Sequence, residues 1–193
     1  MLPNLSINNR KYLKYKFFNS LFTGVGTGSY VTQYNPIGIM EIAVISIIFT
    51  CFSILIALYY QKLMYKKYFF IVAIFVEIVM AVWICCYLIF GISHEIALLI
   101  YMCRSITFVF GDFLSRCETY LFKKPKIFTL IDYNRQMGLI IGMIFAVIFY
   151  NILNNQYGIF DNNTLVYYIH FVLILIQMLI IINLIDSFKK VQI

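Results

Sequence analysis

Residues 165–186 read LVYYIHFVLILIQMLIIINLID, and almost every side chain in this stretch is aliphatic or aromatic. An α-helix needs about 20 such residues to cross the roughly 30 Å hydrocarbon core of a bilayer. Five further stretches approach or exceed this length, so the sequence predicts an all-α membrane protein, a bundle of six transmembrane helices in one domain covering residues 1–193. The six predicted spans are residues 17–36, 39–60, 68–90, 96–122, 137–157 and 165–186.

The overall composition agrees with a membrane location. Of the 193 residues, 63% are hydrophobic and 19% aromatic, and the mean hydropathy is +0.88. Soluble domains are roughly half apolar and a quarter charged, whereas charged residues make up only 12% of this chain. The lipid bilayer is therefore the natural surrounding of the protein.

The net charge of +7 is explained by where the basic residues fall. Clusters of Lys and Arg precede the first predicted span, lie between the second and third and between the fourth and fifth, and follow the sixth. The other three connections contain neither residue type, which is the positive-inside pattern. The sequence thus predicts cytoplasmic N- and C-termini in the cell (inner) membrane and favours lipid headgroups over nucleic acid as the partner of these charges.

Polarity is shared unevenly among the six predicted spans. The first and fourth carry most of the hydroxyl, amide and charged groups, whereas the sixth is nearly all aliphatic. A polar group buried in hydrocarbon without a partner costs several kcal/mol. We therefore expect the first and fourth helices to face protein or water and the apolar helices to face lipid.

The stretch CRSITFVFGDFLSRCE, residues 103–118, contains the most unusual residues of the fourth span. At 100° per residue, Arg104 and Ser115 fall on one polar stripe, and Asp112 flanks it. The opposite face is apolar. One side of the predicted helix is thus suited to lipid or packed helices, and the other to polar contacts.

Depth divides the charges of this helix into two kinds. At 1.5 Å per residue, Arg104 and Asp112 lie about 12 Å apart and straddle the predicted midplane. Arg116 and Glu118 fall near the cytoplasmic mouth, where a long side chain reaches water at little cost. Only the first two need a specific explanation.

Two explanations for these deep charges remain open. A charge near the bilayer centre costs at least about 2.5 kcal/mol, so it usually pairs, lines a cavity or binds something charged. Glu77 in the third span is the other deep carboxylate, and an ion pair between Arg104 and Glu77 is one interpretation. Binding of a substrate or ion by Arg104 and Asp112, with Glu77 and Ser115 as further candidates, is the other.

Four glycines repeat a spacing that is typical of close helix packing. Gly24 and Gly28 form a GxxxG pair in the first span, and Gly138 and Gly142 repeat it at the start of the fifth. Small residues four apart let two helix backbones approach each other closely. We therefore predict a packing role for all four glycines.

The polar residues around the first pair allow another interpretation. The segment FTGVGTGSYVTQY, residues 22–34, is rich in hydroxyl and amide groups. These groups are candidates for the lining of a polar cavity. The candidate residues are Thr23, Thr27, Gln33 and Tyr34.

No catalytic or metal-binding pattern is present in the sequence. Ser93 and His94 are adjacent but have no carboxylate neighbour other than Glu95, and a G-x-S-x-G motif is absent. The five cysteines show no metal-ligand spacing with either histidine. The sequence therefore predicts a protein that is not an enzyme, with no cofactor and no metal site.

Three segments resemble the N-terminal half of the major facilitator superfamily. LIYMCRSITFVFG is similar to the fourth helix of that family, which commonly carries an arginine, here Arg104. RQMGLIIG, with Arg135, is similar to the start of its fifth helix, and YYQKLMYKKYFF lies where the family has a signature loop. That loop has basic residues at the family's basic positions but lacks its Gly and Asp.

The resemblance implies a membrane transporter whose first and fourth helices line a central cavity. Members of the family have twelve helices in two halves, whereas this chain has one predicted half. It implies a half-size transporter that moves a small polar or charged solute as a homodimer. Alternatively, the chain pairs with a second membrane subunit, is a fragment of a longer transporter, or has no transport activity. A substrate-binding membrane subunit of a larger importer and a non-transporting assembly or scaffold protein are the rival functions.

Overall fold

The structure, a computed structural model, describes residues 5–122 and 124–190 and is almost entirely helical. Two short strands, β1 and β2, flank the helices. The elements are β1 (Leu5–Ile7), α1 (Asn9–Gly26), a 3₁₀ turn (Thr27–Ser29), α2 (Tyr30–Tyr34), α3 (Ile39–Leu58), α4 (Tyr60–Leu63), α5 (Lys66–Phe90), α6 (His94–Leu121), α7 (Pro125–Tyr157), α8 (Asn162–Ser187) and β2 (Phe188–Lys190).

Within the described residues, five helices are long and apolar enough to cross a membrane: α3, α5, α6, α7 and α8. The prediction of an all-α, multi-pass membrane protein is thereby confirmed. Residues 9–34, which include most of the first predicted span, form α1, the 3₁₀ turn and α2 in succession but do not belong to this apolar set. Large apolar side chains are exposed around the outside of the bundle, as expected for a surface in contact with lipid.

The connection between the fourth and fifth predicted spans, residues 123–136, is mostly helical. Helix α7 begins at Pro125, twelve residues before the predicted span, and Lys123 lies outside the described residues. Proline is favoured in the first turn of a helix, where its missing N–H group has no partner to lose. Ile131 is buried, so the extension packs through an apolar face although it is too polar for a hydropathy window to detect.

The helices pack in a definite pattern around α1 and α6. Helix α1 packs against α7 and α8, whereas α6 packs against α3 and α5; α5 and α8 also contact each other. The first and fourth predicted helices thus each pack against two other long helices. The expectation that the most apolar helices face lipid is wrong for α8, whose apolar window is the most buried among the five apolar helices, because apolarity in a bilayer does not distinguish lipid from protein neighbours.

Three of the four predicted packing glycines lie at the contact between α1 and α7. A Cβ atom added to Gly24, Gly138 or Gly142 would come within 3.0 Å of a backbone oxygen of the other helix, closer than real Cβ atoms approach. For these three residues the packing prediction is confirmed. It is wrong for Gly28, where an added Cβ would make an ordinary contact of 3.6 Å with the ring of Tyr150.

Strands β1 and β2 pair antiparallel and join the two ends of the described chain. Ile7 is the partner of Phe188, and Leu5 the partner of Lys190. The sequence analysis did not predict these strands. Their pairing brings the start of α1 and the end of α8 to the same end of the bundle.

Candidate functional site

A cavity of about 830 Å³ opens between the helices of the bundle. It lies within the 300 to 1,000 Å³ range of small-molecule sites. All six long helices contribute to its wall, and α1, α3 and α6 supply most of the polar groups. These polar and charged lining residues are Tyr15, Lys16, Asn19, Ser20, Thr23, Tyr30, Ser46, Thr50, Ser53, Glu77, Tyr101, Arg104, Ser105, Thr107, Asp112, Ser115, Arg135 and Gln177.

Arg104 lines this cavity as a cation without a polar partner. Among the described residues its side chain forms no ion pair and no hydrogen bond, and its Nη1 atom is buried without an acceptor. The guanidinium carbon Cζ lies 3.4 Å from the ring centroid of Tyr30 and 6.0 Å from that of Tyr34. Contact with aromatic faces therefore holds the arginine, which leaves the three N–H donors on Nε and Nη2 for another group.

Glu77 also lines the cavity, but it is held by neutral donors. Its side chain is 2% exposed, and its Oε1 atom accepts hydrogen bonds of 3.0 Å from the Tyr15 hydroxyl and from Asn19 Nδ2. Gln177 Nε2 donates to Glu77 Oε2 at 2.8 Å. Within the described chain Glu77 and Arg104 form no ion pair, so the predicted ion pair between them is wrong.

Glu118 lies in a more enclosed position than the sequence indicated. It is buried rather than exposed at a mouth, and its Oε2 atom is 2.9 Å from Lys16 Nζ. The Tyr12 hydroxyl donates to Glu118 Oε1 at 2.9 Å. Because Lys16 precedes the first predicted span and Glu118 ends the fourth, no local pattern in the sequence connects them.

The remaining predicted lining residues divide into two groups. Thr23, Asp112 and Ser115 lie in the cavity wall with exposed side chains. Thr27 and Tyr34 do not line the cavity, which corrects the prediction for both. The hydroxyl of Thr27 donates to the backbone oxygen of Thr23 at 2.7 Å. The ring centroid of Tyr34 lies 6.0 Å from the guanidinium carbon of Arg104.

Gln33 does not line the cavity either, because it is fully buried at the contact between α2 and α8. Its Nε2 atom lies 2.7 Å from His170 Nε2, and His170 Nδ1 lies 2.5 Å from the carbonyl oxygen of Val166. Only an N–H group can bond to that carbonyl, which assigns the ring hydrogen to Nδ1 and leaves Nε2 to accept from Gln33. The ring of Tyr87 lies 4.1 Å from the His170 ring, centroid to centroid, so the predicted cavity residue belongs to a packing contact.

The structure thus brings Arg104, Asp112, Glu77, Thr23 and Ser115 to one cavity. The sequence did not identify the hydroxyl groups of α3, because Ser46, Thr50 and Ser53 lie in a span that is otherwise strongly apolar. Their spacing of four and three residues was the available signal, since it places all three on one helix face.

Compared with protein-family models, with curated proteins and with solved structures, the chain finds no match in any of the three.

Proposed function

We propose that this protein is a membrane transporter that moves a small polar or charged solute through the cavity between α1 and α6. The observation that carries the proposal is Arg104, an unneutralised cation in a polar cavity inside an apolar bundle. A charged residue inside a membrane helix is expensive and usually marks a pathway or binding site. A scaffold protein has no need of such a cavity.

The packing pattern supports a transporter of the kind that the resemblance implies. The first three long helices, α1, α3 and α5, have counterparts in the last three, α6, α7 and α8, in the same order. The contact of α1 with α7 then corresponds to that of α6 with α3, and the contact of α1 with α8 corresponds to that of α6 with α5. The contact of α5 with α8 is its own counterpart. Such a repeat of three helices within a six-helix half is typical of major facilitator transporters.

The proposed topology has six spans, with residues 9–34 as the first. The joined strands β1 and β2 support it, because an even number of crossings returns both ends of the helical bundle to one side. The basic clusters of the sequence support a cytoplasmic location of that side, in a cell with an inner membrane. Residues 9–34 are less apolar than the other spans because they form a wall of the cavity.

The proposed active unit is a dimer. Thr23, Thr50, Asp112 and Ser115 are exposed on the open side of the cavity, and polar groups facing hydrocarbon without partners are costly. A second six-helix unit, which we take to be a second copy of this chain, covers that side and completes the solute pathway. The mass of the protein in lipid nanodiscs tests this point: a strict monomer contradicts the dimer.

The transport function itself is tested without knowledge of the solute. We suggest replacing the three cysteines that are not buried and introducing Thr23→Cys in the cavity wall or, as a matched control, Ile78→Cys on the outer face of α5. Each variant is treated with a membrane-impermeant maleimide from either side of the membrane. A transporter that alternates between two open states exposes Thr23→Cys to both sides, and Ile78→Cys to neither.

Labelling of Thr23→Cys from one side only contradicts transport and supports the substrate-binding subunit of a larger importer. Absence of labelling from both sides contradicts any solute pathway here and supports the assembly or scaffold function.

A further inference from the structure

The cation in the cavity wall has a donor set that suits one oxyanion. The guanidinium of Arg104 is stacked on Tyr30 and bonded to no oxygen among the described residues. A planar guanidinium binds a carboxylate or phosphate through two parallel N–H···O bonds. Because the stacking on Tyr30 already restrains the side chain, little conformational freedom is lost when an oxyanion binds.

Arg104 supplies a single positive charge at its end of the cavity. The other lining cations are Lys16 and Arg135. Lys16 lies roughly 20 Å before Tyr30 along the helix axis at 1.5 Å per residue. Arg135 lies near Lys16, at the end of the cavity away from Tyr30, because Gly138 in the next turn of its helix packs on Phe17. One guanidinium balances one negative charge, which favours a carboxylate over a doubly charged phosphate monoester.

The hydroxyl groups of the wall offer acceptors rather than donors. Each of five lining hydroxyls donates its hydrogen to a backbone carbonyl of its own helix, at 2.7 to 3.1 Å. Their lone pairs are left for the cavity, so a well-matched solute supplies donors of its own. These residues are Thr23, Thr50, Ser53, Ser105 and Thr107.

From these observations we propose that the cavity binds a hydroxylated organic monocarboxylate, with the carboxylate on Arg104 and the hydroxyl groups donating to the side chains of α1, α3 and α6. The inference rests on the proposed function, since it names the class of the transported solute. Asp112 and Glu77, farther along the cavity, disfavour a second negative charge on the solute.

The test is ligand-dependent thermal stability of the full chain in phosphatidylcholine nanodiscs. The probes are lactate, glycerate and gluconate, with glycerol and sorbitol as hydroxylated compounds without a carboxylate, propanoate as a carboxylate without hydroxyls, and glucose 6-phosphate as a dianion. We expect at least one hydroxy acid to raise the unfolding temperature in a saturable way and the matched compounds to act about tenfold more weakly or not at all.

Variants of α6 assign the effect to its residue. Arg104→Gln should lose the stabilisation, whereas Arg116→Gln, on an exposed arginine outside the cavity lining, should keep it. Because Arg104 has no polar partner, Arg104→Gln should fold with an unchanged or higher unfolding temperature in the absence of acid. Should it not fold, Arg104→Lys serves instead, with an affinity for the acid reduced about tenfold by the loss of bidentate geometry.

Three results would overturn the inference: no stabilisation by any of the three acids, equal stabilisation by sorbitol and gluconate, or stronger stabilisation by glucose 6-phosphate than by gluconate. The two-sided labelling of Thr23→Cys does not involve these compounds. Failure of the solute class and failure of transport are therefore distinguishable.

Discussion

Replacement of Glu77 by two different residues should have unequal consequences for stability. In Glu77→Leu the carboxylate disappears while its donors stay in place. The hydroxyl of Tyr15 and the amide of Asn19 then lose their common acceptor, whereas Gln177 retains a bond of 2.9 Å to the backbone oxygen of residue 77. Two donor groups thus lose the acceptor they share, while Gln177 keeps one of its two bonds.

The expected magnitudes follow from these contacts. An unsatisfied buried donor costs about 1 to 3 kcal/mol, so two cost about 2 to 6 kcal/mol. Asn19 is partly exposed to the cavity, and water there replaces part of its lost bond. We therefore expect Glu77→Leu to lower the free energy of unfolding by about 2 to 4 kcal/mol.

Glu77→Gln should lower the free energy of unfolding by only about 1 kcal/mol, the value of one hydrogen bond. The amide oxygen of the new side chain still accepts from Tyr15 and Asn19. Its NH₂ group takes the place of Oε2 and meets Gln177, whose Oε1 atom has no partner among the described residues. Rotation of the Gln177 amide by 180° lets that oxygen accept from the new NH₂ group but gives up the bond from Gln177 Nε2 to the backbone oxygen of residue 77.

The assay is unfolding in nanodiscs followed by the fluorescence of Trp83, the chain's one tryptophan. Trp83 is buried in α5, less than two turns from Glu77. Equal stability of the Leu and Gln variants would refute the reasoning, because it would mean that the donors around residue 77 contribute nothing to the fold.

Three further changes have expected outcomes. Gly142→Ala should destabilise the contact of α1 with α7 by about 1 to 3 kcal/mol, whereas Gly28→Ala should not, and a comparison of their unfolding temperatures decides this. Lys16→Met should cost about 3 to 5 kcal/mol because it leaves Glu118 buried without its cation; the exchange Lys16→Glu with Glu118→Lys should recover much of the loss, and failure to do so would mean that the pair is not what stabilises this site. Asp161 accepts hydrogen bonds from the amide and hydroxyl of Thr164, the third residue of α8, and these bonds lower the pKa of its carboxyl group. The stabilisation from these bonds is present above the pKa of the unfolded state and is lost as the pH falls through the pKa of the folded state. Asp161→Asn should therefore flatten the dependence of unfolding temperature on pH in that acidic range.

The sequence predicted the parts of the fold that depend on local composition. Long apolar runs identified α3, α5, α6 and α8, because the requirement for about 20 apolar residues is a local property. The extension of α7 from Pro125 was not identified in this way, since residues 125–136 contain no comparable apolar run. The burial of α8 was not identified either, because its partners are chosen by shape and not by apolarity.

The candidate site divides in the same way. Periodicity on one helix placed Arg104 and Ser115 on a common stripe, and both line the cavity. The partners of Glu77 come from α1 and α8, at sequence separations of 58 to 100 residues, and no single-helix pattern contains that information. Gln33 shows the converse, since its polarity suggested a cavity whereas its actual neighbour is a histidine of α8.

The position of α1 between α7 and α8 has a consequence for biosynthesis. Helix α1 leaves the ribosome before the other long helices and is the least apolar of them, and its packing partners begin about 100 residues later. Until α7 has been made, the polar groups of α1 lack their packing partners and are accommodated in the translocon, at the membrane surface or beside a chaperone. Domains rich in such long-range contacts fold slowly and expose apolar surfaces while they do so. The packing of α7 and α8 around α1 is therefore the last step of folding, and the chain is open to degradation until that step is complete.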